Sequence, residues 1–185
     1  MRTDDELYGS FLSGDKTAYD ELMIRYGDSL VLYLHGYLRD WEDAEDLMIE
    51  AFARIMVKKP KIGDGAFRAY LYKTARNLAA RFHSNKSKKQ EFSFDEMEEE
   101  IQGSISPETE AERNEKKEII KICLDRIDPE LREVLWLVYV EGLSYDEAAQ
   151  VMKLPKKRVD RILQKGKEHM RKELHKEGID NAYEY

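Results

Sequence analysis

The sequence predicts an all-α protein, built as two small helical domains joined by a flexible acidic linker. Three observations carry this. Apolar residues recur at three- and four-residue spacing along most of the chain, which is the helical period. Charged residues make up 37% of the 185 and hydrophobic residues 42%, which suits helices with one buried stripe and solvated flanks and requires no large single core. Residues 90–112 hold nine acids together with Gly103 and Pro107 and show no sustained period, so they read as a linker.

Asp15 to Leu38 reads as one or two helices, with Tyr19, Leu22, Met23, Tyr26, Leu30, Tyr33, Leu34 and Tyr37 at helical spacing. Ala44, Leu47, Met48, Ala51, Phe52, Ile55 and Met56 mark the next, with Asp40 as N-cap and Lys58-Lys59-Pro60 as its close. After the loop from Lys61 to Gly65, a third helix runs through Phe67, Leu71, Ala75, Leu78 and Phe82. Beyond the linker, Ile119, Ile120, Cys123, Leu124 and Ile127 mark another helix. Pro129 sits where a further one can begin, with Leu131, Val134, Leu135, Val138 and Tyr139 as its buried stripe. Ser144 and Glu147 form a capping box that opens a short helix to Met152. Lys153-Leu154-Pro155 makes a tight turn, and a long basic helix follows with Val159, Ile162, Leu163, Gly166, Met170 and Leu174 on one face. Short helix, tight turn and longer basic helix is helix-turn-helix geometry.

The net charge of -7 hides two basic blocks. Residues 54–89 hold 11 basic residues against Asp64 alone, and residues 153–176 hold 10 against 3 acids. Both fall on amphipathic helices, which points to two surfaces that meet phosphate; solvated helix faces are the plainer alternative. The chain has one cysteine, Cys123, and four scattered histidines without zinc-site spacing, so neither a disulfide framework nor a metal centre is expected. Residues 1–10 lack the basic start and apolar core of a signal peptide, and no apolar run is long enough to span a bilayer. A soluble intracellular protein is the expectation.

Three surfaces stand out. On the second helix Asp46, Ile49, Glu50, Ala53 and Val57 form a thin apolar strip beside acids, suited to a protein partner. On the third, Lys73 and Arg76 with Tyr70, Tyr72 and Asn77 at the borders suit separated nucleic-acid strands, since charges follow phosphate and rings stack on bases; half-buried core-edge tyrosines are the alternative. On the last helix, Lys157, Arg161 and Gln164 point away from the core, flanked by Arg158, Asp160 and Lys165. Such side chains reach base edges and phosphates in a major groove.

Asp40-Trp41-Glu42-Asp43-Ala44-Glu45-Asp46-Leu47 with Glu50-Ala51-Phe52 resembles the polymerase-binding helix of the sigma-70 family. Phe67 to Asn77 resembles that family's strand-opening and -10-recognition helix. Arg132-Glu133-Val134-Leu135 and Tyr139 to Tyr145, with Glu147-Ala148-Ala149, are similar to its -35-reading domain. The order is right, and one acidic linker leaves no room for a third domain, which implies the extracytoplasmic-function group.

The resemblance implies a sigma factor without enzymatic activity, cofactor or metal. Region 2 would span 1–89, the linker 90–112, region 4 113–177 and a tail 178–185. Asp43, Asp46, Leu47, Ile49, Glu50 and Phe52 would form or shape the surface for core RNA polymerase, at a coiled coil of its largest subunit, with the flap region as a second contact. Lys61, Gly63, Asp64, Phe67, Tyr70, Tyr72, Lys73, Arg76 and Asn77 would hold the opened -10 strand. Ser144, Lys156, Lys157, Arg158, Asp160, Arg161, Gln164 and Lys165 would read or clamp the -35 element. Promoter DNA and an anti-sigma factor are the other implied partners, with no membrane insertion and a cytoplasmic location.

Three positions depart from the family pattern. Ile49 stands where glutamine is common, which makes the docking strip more apolar. Lys153 stands where the turn commonly has glycine, so a left-handed conformation there costs about 1 kcal/mol, or the turn differs. Lys157 to Leu163 keeps the packing residues of the recognition helix but changes its outward ones. The alternative function is a helix-turn-helix regulator that binds duplex DNA without polymerase. A helical enzyme using Asp43, Asp46 and Glu50 lacks a histidine or second carboxylate cluster to complete its site.

Overall fold

A computed structural model describes residues 1–86, 119, 120 and 122–179; the linker expected over 90–112 lies outside the described residues. Every regular element among them is helical. The first unit holds α1 (Asp4–Leu12), α2 (Lys16–Leu38), α3 (Trp41–Lys58) and α4 (Phe67–Lys86). The second holds α5 (helical residues 119–120 and 122–125), α6 (Pro129–Leu135) with a π-helical extension (Trp136–Val140), α7 (Tyr145–Met152) and α8 (Lys156–Lys176).

Local chemistry explains most of these limits. Asp15 and Asp40 cap α2 and α3 by accepting hydrogen bonds from first-turn amides. Both helices end on a left-handed residue, Arg39 and Lys59, whose amide closes the last turn. Helix α1 lies ahead of the periodic stretch that begins at Asp15. Thr3 and Glu6 form its capping box, and Leu7, Tyr8 and Phe11 bury its inner face. The Phe11 and Tyr19 rings pack at a tilt with centroids 4.5 Å apart, which ties α1 to α2.

In the second unit Asp128 caps α6 with Pro129 in the first turn. The buried Arg132 donates to the carbonyls of Leu124, Asp125 and Ile127, satisfying the end of α5. The expected stripe of α6 holds for Leu131, Val134 and Leu135 but breaks beyond them. The amide of Glu141 bonds to the carbonyl of Trp136, a five-residue step, and this wide turn rotates the following side chains. Trp136 and Leu137 therefore enter the core, Val138 is half-buried and Tyr139 is exposed.

The helix-turn-helix forms as the pattern predicts. Ser144 and Glu147 cap α7 reciprocally, and Lys153 sits at φ 56°, in the left-handed region. Helix α8 crosses α6 at Gly166, where a Cβ would lie 3.2 Å from the Leu135 side chain. Because Lys153 carries a Cβ where the turn favours none, Lys153→Gly is expected to raise stability by about 0.5–1 kcal/mol in chemical denaturation. An unchanged midpoint counts against strain at that turn.

The two units pack against each other, α4 against α7. No helix among the described residues is long and apolar enough to cross a membrane.

Candidate nucleic-acid interface

Helix α3 presents the mixed strip its sequence implies. Ile49, Met56 and Val57 are exposed beside the exposed Asp46. Met56 was expected in the buried stripe, but it falls at the edge of the face formed by Ala44, Leu47, Ala51 and Ile55 and lies beside Ile49 instead. Leu47 and Phe52 lie in the core, so they can shape this face but not touch a partner. Asp43 is half-buried in the first turn, and Glu50 is bonded by Arg54 at 2.6 and 2.9 Å.

Lys61, Gly63 and Asp64 project into solvent from the loop between α3 and α4. The loop closes in a turn in which the Ala66 amide bonds to the Gly63 carbonyl at 3.1 Å and Gly65 takes φ 70°, a conformation glycine adopts without strain. Phe67, expected to meet DNA, is buried among Tyr8 and Tyr26.

Helix α4 separates the remaining expected residues onto two faces. Tyr70, Thr74, Asn77 and Arg81 follow each other at steps of four, three and four, so they share one stripe. Together with Arg54, Ile55 and Lys58 of α3 they line a cleft of about 180 Å³. Three cations, an aromatic ring, an amide and a hydroxyl around one cleft can hold a phosphate and the face of a base. Arg54, Lys58, Thr74 and Arg81 were not singled out from the sequence, although the spacing of Arg54 and Lys58, opposite Asn77 and Arg81, was the available signal. Lys73 is half-buried beside this stripe.

The other face of α4 carries Arg68, Tyr72 and Arg76, again four apart, and it meets the second unit. Arg76 pairs with the buried Glu133 through Nε at 2.7 Å and a second nitrogen at 3.3 Å. The Tyr33 hydroxyl donates to the same carboxylate at 2.9 Å. Arg68 donates to the carbonyls of Glu141 and Gly142 at 2.8 and 2.9 Å. Tyr72, expected at an open border, is fully buried, and its hydroxyl meets Ser29 and the carboxylate of Glu141. It cannot stack on a base in this arrangement.

The buried charges respond to these surroundings. Burial pushes the Glu141 carboxyl above the ordinary carboxylate range, against hydrogen bonds from Tyr72 and Trp136 that pull it down. Burial also raises the Tyr33 and Tyr72 hydroxyls. For Arg76 burial acts downward, but its bonds to Glu133 outweigh it and the guanidinium is held more firmly charged.

Helix α8 brings the third set together. Lys156, Lys157, Arg158, Asp160, Arg161, Gln164 and Lys165 are all exposed, and Ser144 is exposed at the start of α7. Lys156 reaches Asp146 at 2.6 Å and Arg158 reaches Glu130 at 2.7 Å. Both pairs lie in solvent and hold weakly. Val159, Ile162 and Leu163 anchor the opposite face.

The family model described as Sigma-70 region 2 matches residues 22–89, and that described as Sigma-70, region 4 matches 117–170. RNA polymerase sigma-H factor of Pseudomonas aeruginosa is 27% identical over 161 residues, covering 82% of this chain and 83% of the relative. ECF RNA polymerase sigma factor SigM of Bacillus subtilis is 24% identical, covering 88% and 98%. The ECF RNA polymerase sigma-E factor of Escherichia coli K12 is 26% identical, covering 83% and 84%. Among solved structures, CnrH in complex with the cytosolic domain of CnrY shares the fold at TM-score 0.62 and 21% identity, over 93% of this chain and 97% of that one. The sigma factor RpoE of Bartonella quintana, solved with the anti-sigma factor NepR, also aligns at TM-score 0.62, with 14% identity over 85% of this chain and 96% of that one. With both regions matched in order and most of the chain aligned to relatives of similar length, this chain belongs to the sigma-70 family of RNA polymerase sigma factors, in its extracytoplasmic-function group.

Proposed function

We propose that the chain divides the work of a sigma factor among three surfaces: α3 docks on core RNA polymerase, the α3–α4 cleft and its loop hold the opened -10 strand, and α8 reads the -35 element. As a sigma factor it directs promoter-specific transcription initiation and is not itself an enzyme. The observation that carries the division is the cleft, where Tyr70, Asn77 and Arg81 of α4 face Arg54 and Lys58 of α3. Region 4 contacts the flap region of the polymerase in this reading, and the protein acts in the cytoplasm. Relatives of the same fold were solved with CnrY and with an anti-sigma factor, which supports an anti-sigma partner for this chain as well.

Docking is tested by charge reversal. Asp46→Lys with Glu50→Lys alters two residues of the α3 strip outside the core. The pair is expected to weaken binding to core polymerase at least tenfold in a pull-down titration, a loss of about 1.4 kcal/mol or more, while helicity stays unchanged. Unaltered affinity removes this helix from the interface.

A further inference from the structure

We infer that α1 is a positioning element for -10 recognition, with Asp5 and Tyr8 fixing the conformation of the loop between α3 and α4. The inference rests on the assignment of that loop to the -10 strand.

The loop is poorly held by its own bonds. It carries Gly63 and Gly65, and among its backbone bonds is the single turn from the Ala66 amide to the Gly63 carbonyl. Helix α1 holds it at its entry, its turn and its exit. At the entry, the Tyr8 hydroxyl donates to the Pro60 carbonyl at 2.8 Å, one residue past the left-handed Lys59 that ends α3. At the turn, the Gly65 amide donates to both oxygens of the Asp5 carboxylate at 3.0 and 2.9 Å. At the exit, the Tyr8 ring lies 5.4 Å from Phe67, the first residue of α4.

A clamp works only if it is itself fixed, and α1 is. Asp4 accepts from Arg25 at 2.6 Å and from the Tyr26 hydroxyl, which ties the start of α1 to α2. Leu7, Tyr8 and Phe11 are buried beneath it, and the Thr3–Glu6 capping box completes its first turn. Two adjacent acids thus have different tasks: Asp4 anchors the helix, and Asp5 reaches from it to the loop. Asp5 is exposed, and its carboxylate links α1 to the loop through the Gly65 amide.

Base selection needs the loop in one conformation before the strand arrives, because a loop ordered only on binding spends part of the interaction on its own ordering. Loss of the clamp therefore lowers discrimination at the -10 element and leaves α3 and α8 as they were.

The test uses holoenzyme reconstituted from core polymerase and the full chain, with promoters selected from a library randomised in both elements. Asp5→Ala is expected to flatten the -10 preference about fivefold, the factor set by one lost hydrogen bond, with the -35 preference and core affinity unchanged. Asp5→Asn retains a carbonyl acceptor and is expected to restore part of the preference. In the free protein, the Gly65 amide is expected to exchange with solvent about fivefold faster in Asp5→Ala. A loop variant, Lys61→Ala with Asp64→Ala, separates the two ways of failing. An unchanged -10 preference in Asp5→Ala, with an altered one in the loop variant, overturns the role of α1 and leaves the loop assignment standing. An unchanged preference in both overturns the loop assignment and the clamp with it. Equal losses at -10 and -35 in Asp5→Ala show general destabilisation and also overturn the proposal.

Discussion

Replacement of Glu133 by alanine is expected to separate the two helical units without unfolding either. The carboxylate is buried and receives Arg76 in two bonds and the Tyr33 hydroxyl in a third. Its removal takes the carboxylate from a partly buried guanidinium, a loss on the order of 3 kcal/mol, reduced because Arg76 retains some access to water and the Tyr33 hydroxyl still meets that of Tyr37. Small-angle scattering is expected to show a larger radius of gyration at unchanged helical circular dichroism. A radius equal to that of wild type shows that Glu133 does not hold the units together.

Glu141 lies at the same junction, and its contribution depends on pH. Burial raises its carboxyl above the ordinary value, so protonation favours the packed state. Its contribution is fully present below the ordinary carboxylate range and is lost as pH rises through the raised value. Glu141→Gln keeps a carbonyl acceptor for Trp136, turns its NH2 to the Tyr72 hydroxyl, which can accept, and removes the charge, so packing at neutral pH is expected to tighten.

The second large effect falls on α8. Lys157 and Arg161 stand one turn apart on its exposed face near the N-terminus, where a helix-turn-helix places base-reading side chains. If Arg161 bonds guanine bidentately, Arg161→Ala costs about 1–3 kcal/mol at one base pair and relaxes selection there. Lys157→Ala, acting on a phosphate, lowers affinity for all sequences and reduces the salt slope by about one. Arg158 starts from an ion pair with Glu130, so its removal is expected to have a smaller effect. Selection from a -35 library by holoenzyme carrying each variant separates these outcomes. Identical selected sequences from wild type and Arg161→Ala show that this arginine does not read bases.

Helix order, the caps at Asp40 and Ser144 and the apolar face of α8 were legible because each depends on residues within one or two turns. The turn at Lys153 was legible as a choice between strain and a different turn, and the backbone takes the strained option. Helix α1 was not recognised, since nine residues offer little more than two turns of period and its stability comes from packing on Tyr19 and Phe67. The π-helical step after Leu135 has no local signature, and it moved Tyr139 from the expected core to the surface. The division of α4 into two faces was hidden for a different reason. Arg76 and Tyr72 resemble Lys73 and Tyr70 in sequence, and only the carboxylates of Glu133 and Glu141, 57 and 69 residues away, distinguish them.

Open-complex formation tests the division of surfaces most directly. Core polymerase would be mixed with wild-type protein or with Tyr70→Ala and Asn77→Ala together, and reactive thymines mapped by permanganate on a selected promoter. Wild type is expected to open the -10 region only when polymerase is present, and the cleft variant to bind core polymerase normally yet leave the duplex closed. Equal opening by the cleft variant, or specific binding of closed duplex by the protein without polymerase, would contradict the account.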